Sequence, residues 1–243
     1  MGNSRYFLEV AYNGTRYSGF QVQDNANSIQ SEIEKAFATL QRENVMFTGS
    51  SRTDAGVHAL QNFFHFDYDG VINPRFIYKM NAILPHDIVV RSIIPVSADS
   101  HCRFDAVSRE YKYFIYQNKN PFLDDRAYHF PYPLDLGVMN EAAELIASTT
   151  DFTSFAKRNS QVKTFFCDIK KSIWIKEDDT ITYHVEANRF LRGMVKGLVG
   201  TMLQLGRGKI SLYDLKAIIS ARDCSKADFS VPAKGLFLVR VLF

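Results

Sequence analysis

Two stretches with helical periodicity, set among short strand-like runs, constrain the first hundred residues more than any other feature. Residues 5–12 read as a strand that stops at Asn13-Gly14, a turn signal. Residues 28–42 place Ile29, Ile33, Phe37 and Leu40 on one helical face, and Asn27 with Gln30 has capping-box spacing. Short apolar runs follow at 45–49 and 62–68. A second helix is expected over 74–83, closed by Pro85, and a β-branched strand over 88–96. The order is β-α-β-β-α-β.

The second half follows a similar plan. Strands are expected at 103–117, 165–175, 180–187 and 235–243, and helices at 136–147, 190–205 and 211–220. Residues 118–135, with Pro121, Pro131 and Pro133, read as a linker, and 151–164 as a polar loop containing Lys157-Arg158-Asn159-Ser160-Gln161. The pattern predicts an α+β protein of two tandem ferredoxin-like (βαββαβ) units, 1–100 and 101–243, with a mixed, mainly antiparallel sheet. No sequence repeat accompanies this duplication. A cleft between two such halves is the expected place for a ligand.

The bulk numbers exclude little. A net charge of +3 permits a nucleic-acid partner without demanding one. The 20 Phe and 12 Tyr can fill a core or stack on bases. Cys102, Cys167 and Cys224 are too far apart for a Cys-x-x-Cys metal pair and odd in number, which suits a reducing compartment. The N-terminus lacks a signal-peptide core, Tyr6 stands where a myristoylation pattern needs Ser or Thr, and no apolar run reaches membrane-spanning length. The expectation is a cytoplasmic protein.

The stretch Gly49-Ser-Ser-Arg-Thr-Asp-Ala-Gly-Val-His58 lies between two expected strands. On an extended chain Arg52 and Asp54 point the same way. An Arg beside a carboxylate keeps it ionised, and an ionised carboxylate serves as nucleophile or general base. A surface loop whose Arg and Asp simply pair has the same sequence. On the next expected strand Arg109, Tyr111 and Tyr113 share a face, where Tyr111 is a stacking platform or a core aromatic. On the expected helix at 190–205 and the residue before it, Arg189, Arg192 and Lys196 form one stripe beside a glycine stripe of Gly193, Gly197 and Gly200, with Leu191, Val195, Leu198 and Met202 opposite. Such a basic edge beside small residues suits a phosphate, or else a solvated face beside a helix-packing groove.

Other constellations are weaker. His58, His65 and His101 have no metal-ligand spacing, and His65 with Asp67 reads as one sheet face rather than part of a serine triad. His101 and Cys102 are direct neighbours and point apart on a strand. Gly206-Arg-Gly-Lys209 lacks a full phosphate-loop pattern and reads as a helix C-terminus.

The string Arg52-Thr-Asp-Ala-Gly-Val-His-Ala59 resembles the signature of the TruA family of tRNA pseudouridine synthases. Further stretches are similar to that family in the family's order: Tyr12-Asn-Gly-Thr-Arg-Tyr-Ser-Gly19, Gln61-Asn-Phe-Phe-His-Phe66, Asn81-Ala-Ile-Leu-Pro85 and Arg109-Glu-Tyr-Lys-Tyr113. Asp151-Phe-Thr-Ser-Phe155, Ala187-Asn-Arg-Phe-Leu-Arg-Gly-Met-Val195 and Pro232-Ala-Lys-Gly-Leu236 complete the series.

The resemblance implies an isomerase that converts uridine to pseudouridine in the anticodon stem-loop of tRNA, at tRNA positions 38, 39 and 40, as a homodimer. It implies no cofactor and no metal, and a central cleft that takes RNA. It makes Asp54 the nucleophile, attacking the base at C6 or the sugar at C1′, and Tyr111 the residue packed on the target base. Lys196 stands where the family has a basic residue, usually Arg, paired with the nucleophile. Lysine keeps the charge and loses the bidentate geometry. Arg52 is then free to enter the RNA helix, with Arg192 and Arg189 as further RNA contacts. Phe20 stands where members often have Trp, and Ser51 where many have Gly. The competing functions are an RNA-binding module without chemistry, a paralogue acting on other uridines, and a metal-dependent nuclease.

Overall fold

The computed structural model describes residues 4–158 and 162–243, so part of the polar loop expected at 151–164 lies outside the described residues. The chain forms two compact units. One runs to Val107 and takes back Phe237–Phe243, and the other is Ser108–Leu236.

In the first unit β1 (Ser4–Tyr12) is the central strand. It pairs antiparallel with β3 (His58–Tyr68) on one side and β4 (Ile88–Val96) on the other. The far edge of β3 takes the two-residue β2 (Thr48–Gly49) near Phe64. It also takes β9 (Leu236–Leu242) in parallel through His58 and Ala59. The apolar run at 45–49 thus contributes only Thr48 and Gly49 to the sheet.

Helices α1 (Ile29–Gln41) and α2 (Phe76–Ile83) join these strands. The buried stripe of α1 is Ile29, Ile33, Ala36 and Phe37, the spacing of a 3.6-residue period, and Leu40 sits at its half-exposed margin. The Phe37 ring meets Phe47, Phe66, Tyr68 and Phe76 edge-on at centroid distances of 5.2–5.5 Å. Each such pair adds about 0.5–1.5 kcal/mol beyond area burial. The capping box differs from the expected Asn27 and Gln30. Ser28 accepts from the Ser31 amide at 3.1 Å, and the Ser31 hydroxyl accepts from the Ser28 amide at 3.1 Å. The first helical residue is Ile29, so the cap falls on Ser28. At the other end of α2, Leu84 is extended before Pro85, as the proline ring demands.

In the second unit β8 (Thr180–Ala187) pairs antiparallel with both β5 (Ser108–Tyr116) and β7 (Ile169–Glu177). The linker at 118–135 supplies β6 (Tyr128–His129), parallel to the end of β5. Helix α3 (Leu136–Ala147) is capped by Asp135, whose carboxylate accepts the Val138 amide at 3.1 Å. Asn140 on α3 binds both backbone groups of Trp174 on β7. The pairings in the two units make an α+β fold with mixed, mainly antiparallel sheet.

Two bounds differ from expectation in ways that bear on function. A turn over residues 102–105 takes the place of the expected start, and the strand begins at Ser108. Helix α4 (Met194–Gly206) begins four residues later than expected, ahead of α5 (Leu212–Ala221). Gly193 is its cap, at φ +72°, a left-handed conformation through which an α-helix does not propagate. Arg189 and Arg192 therefore precede the helix, and the basic stripe expected on it does not form. The glycine edge is a packing groove. A Cβ on Gly197 would stand 2.7 Å from the Phe229 ring, and one on Gly200 would overlap the Asp228 carbonyl. Gly206 closes α4, as read from the Gly-Arg-Gly-Lys stretch.

Candidate active site

Asp54 and Arg52 lie in the first unit, on the loop that joins β2 to β3. Arg52 and Asp54 both precede a turn at Ala55–Gly56, where Gly56 has φ +76°. Arg52 points to solvent and Asp54 is half-buried. Among the described residues no ion pair joins them, and the Asp54 carboxylate has no hydrogen-bond partner. Its acceptors are thus open to a ligand.

The loop is held mostly by main chain and buried side chains. Ser50 donates to Phe63 O at 2.8 Å, and Asn62 Nδ2 to Ser51 O at 2.8 Å. The Tyr12 hydroxyl lies 2.7 Å from Thr53 Oγ1 and also accepts from Asn62 Nδ2 at 3.2 Å. On the residue before Asp54, Thr53 O accepts the Phe20 amide at 3.1 Å, and beyond it the Gly56 amide reaches Tyr17 O at 3.4 Å. Two glycines of the facing segment make this approach possible. A Cβ on Gly14 would overlap the Val57 carbonyl, and Gly19, at φ +115°, would put its Cβ 3.1 Å from Thr53 O. The Gly14 amide donates to His58 Nδ1 at 3.2 Å, which gives His58 a packing role beside Phe237, 4.4 Å between ring centroids. Phe20 stacks on Phe64 at 4.5 Å and closes the floor behind the loop. The Ser50 and Ser51 hydroxyls are buried with no partner among the described residues.

The other four candidates lie in the second unit. Tyr111 stands opposite Val185 on β5, 9% exposed, with its ring edge-on to Phe190 at 4.9 Å and 80°. Its neighbours on that face are also buried. Arg109 donates to Asn188 O at 3.0 Å and Tyr113 to Pro232 O at 2.7 Å. Burial raises the Tyr113 phenol strongly, so it stays a donor. Phe190 belongs to the turn that leads from β8 into α4, which carries Arg189 and Arg192. Arg189 is half-buried and makes a long 3.4 Å contact to Thr164 Oγ1, whereas Arg192 is exposed. Lys196 is half-buried in the first turn of α4. The second unit thus gathers Tyr111, Arg189 and Arg192 around one turn, with Lys196 just beyond it.

The histidines and cysteines set aside in the sequence have ordinary partners. His65 Nδ1 lies 3.3 Å from Cys102 Sγ, a contact between strand β3 and the turn after β4 that the sequence neighbours could not disclose. Asp67 pairs with Arg5 at 2.7 Å rather than with His65. Among the described residues no three metal-ligating side chains cluster, and no helix is long and apolar enough to cross a membrane. Sequence reasoning missed Tyr12, Tyr17, Thr53, Asn62 and Asp87, which hold the Asp54 loop. Tyr12 and Tyr17 lie in the Tyr12–Gly19 stretch, Thr53 in Arg52–Ala59 and Asn62 in Gln61–Phe66, and Asp87 follows Asn81–Pro85 by two residues, but no local pattern assigns them partners.

The profile of the family described as tRNA pseudouridine synthase matches residues 9–105 and 142–243, which takes in all six candidates except Tyr111. The chain is 45% identical to tRNA pseudouridine synthase A of Bacteroides fragilis, over 99% of this chain and 97% of that protein. It is 43% identical to the protein of the same name from Parabacteroides distasonis, over 98% and 96%. The like-named Staphylococcus aureus (strain MRSA252) protein is 36% identical over 98% and 91%.

Proposed function

The chain belongs to the tRNA pseudouridine synthase family, and on that premise we propose that it isomerises uridine to pseudouridine in tRNA with Asp54 as nucleophile. The observation that carries this is the Asp54 loop. A half-buried carboxylate without a protein partner among the described residues is presented on main chain bonded at Thr53 and Gly56. Such rigid support suits a group that must meet a reacting atom within a few tenths of an ångström.

Atom balance explains why one carboxylate suffices. The carboxylate attacks the uridine, the N1–C1′ bond breaks, and C5 of the turned base bonds to C1′. The C5 proton leaves, N1 takes up a proton, and the carboxylate is released unchanged. Product and substrate have the same composition, so the step needs no oxidant, reductant or group donor.

The nucleotide must leave the base stack to be attacked, at a cost of a few kcal/mol. Tyr111 is the platform for the extruded base, and stacking of this kind returns about 1–3 kcal/mol. Lys196 supplies the positive charge for the nucleophile, and Arg52, Arg189 and Arg192 contact the RNA. The target is the anticodon stem-loop at tRNA positions 38, 39 and 40, in the cytoplasm, with a homodimer engaging each tRNA. Several neighbouring targets require recognition by shape and phosphate rather than by base sequence.

The test is direct. Wild type and Asp54→Ala are incubated with unmodified tRNA, and pseudouridine is mapped by carbodiimide labelling. Modification by wild type at 38–40 and none by Asp54→Ala, at equal tRNA affinity, is the expected result. Tight binding without modification would make the chain an RNA clamp, and modification elsewhere would reassign its target. Size-exclusion chromatography with light scattering checks the dimer.

A further inference from the structure

Asp87, in the turn that leads from α2 into β4, is among the most fully engaged carboxylates of the first unit. Its side chain is 8% exposed. Oδ1 accepts the Tyr17 hydroxyl at 2.6 Å, and Oδ2 accepts Arg16 Nε at 2.8 Å and lies 2.7 Å from Arg16 Nη2 in an ion pair. Its main-chain carbonyl accepts the Asn13 amide at 2.9 Å. Asn13, Arg16 and Tyr17 belong to one tight turn, closed by the Tyr17 amide on Gly14 O at 3.0 Å. Burial opposes ionisation of Asp87, but Tyr17 and Arg16 outweigh it and hold the carboxyl below the ordinary range.

The same turn reaches the nucleophile loop. Tyr17 O accepts the Gly56 amide, and three residues further on the Phe20 amide donates to Thr53 O. Asp54 is thus bracketed by two main-chain bonds from a segment tied to Asp87, although Asp87 has no contact with Asp54 itself.

We propose that Asp87 is a positioning residue for Asp54: its carboxylate fixes the Asn13–Tyr17 turn, and that turn fixes the loop on which Asp54 stands. This rests on the reading of Asp54 as nucleophile. Misplacing a catalytic group by about 1 Å costs on the order of 100-fold in rate. A loop loosened at Tyr17 and Gly56 moves by that kind of distance without unfolding the unit.

The experiment compares Asp87→Asn and Tyr17→Phe with wild type in single turnover, with enzyme in saturating excess over unmodified tRNA. That first-order rate constant does not change when a share of the enzyme is misfolded, so a merely structural role would leave it alone. Asp87→Asn removes the charge and presents an amide where two donors point. Its rate constant should fall about 10- to 100-fold, with a smaller loss in Tyr17→Phe. The tRNA dissociation constant of both should stay within about two-fold of wild type. Should Asp87→Asn not fold, Tyr17→Phe carries the comparison. Rate constants equal to wild type in both variants, beside an inactive Asp54→Ala, overturn this inference alone. An inactive wild type or an active Asp54→Ala overturns the nucleophile reading and this inference with it.

Discussion

The Tyr12 hydroxyl lies 2.7 Å from Thr53 Oγ1, inside the first unit and one residue before Asp54. Asn62 donates to the same phenol and to Ser51 O, so one buried amide joins the central strand to both ends of the Ser51–Thr53 segment. Thr53→Val keeps the shape and removes the hydroxyl. It should cost about 1 kcal/mol of stability, the usual worth of one such bond, and slow isomerisation. Urea denaturation and the single-turnover rate check both. An unchanged midpoint would mean that the phenol finds full compensation elsewhere.

Gly19 combines a left-handed backbone at φ +115° with a main-chain neighbour, Thr53 O, at 3.1 Å from where a Cβ would stand. Any side chain there is strained and also pushes on the residue before Asp54. Gly19→Ala should destabilise by about 1–3 kcal/mol and lower the isomerisation rate more than tRNA affinity. Denaturation midpoints together with filter binding separate the two effects.

The pH dependence of stability should carry the mark of Asp87. Arg16 and Tyr17 hold its folded carboxyl below the ordinary value of about 3.9. A depressed carboxylate stabilises the fold above that ordinary value, and the benefit is lost as pH falls through the folded one. Asp87→Asn has no such benefit. The difference in urea midpoint between wild type and Asp87→Asn should therefore be wide at pH 6 and narrow as pH falls below 4. A difference that stays constant would assign the side chain's worth to neutral packing.

Arg192 is exposed on the turn into α4, two residues after Phe190, whose ring meets Tyr111 edge-on. Arg192→Ala should weaken tRNA binding and lower the slope of log affinity against log salt by about one phosphate contact. Filter binding over a salt series measures it. An unchanged affinity and slope would place this turn away from the RNA.

Much of this molecule is legible without coordinates. The spacing of Ile29, Ile33 and Phe37 marks the buried face of α1, and the alternation at Arg109, Tyr111 and Tyr113 marks the buried face of β5. The string Arg52–Ala59 singles out Asp54 as the candidate nucleophile. The start of α4 was misread, because Phe190-Leu-Arg has helical spacing and the left-handed turn at Gly193 shows no local signature. The basic stripe built on that reading dissolved with it, and the glycine edge proved to be a seat for Asp228 and Phe229.

Periodicity and short motifs are local properties, so the sequence alone determined the order of the longer strands and helices and their buried faces, and singled out Asp54 as the candidate acid. Tertiary structure alone decided what supports that residue. Tyr17 and Asp87 are 70 positions apart, and Tyr12 and Thr53 are 41. Hydrogen bonds over such separations exist only once β1, β3 and β4 have paired in register, because pairing is what brings the turns at their ends within bonding distance.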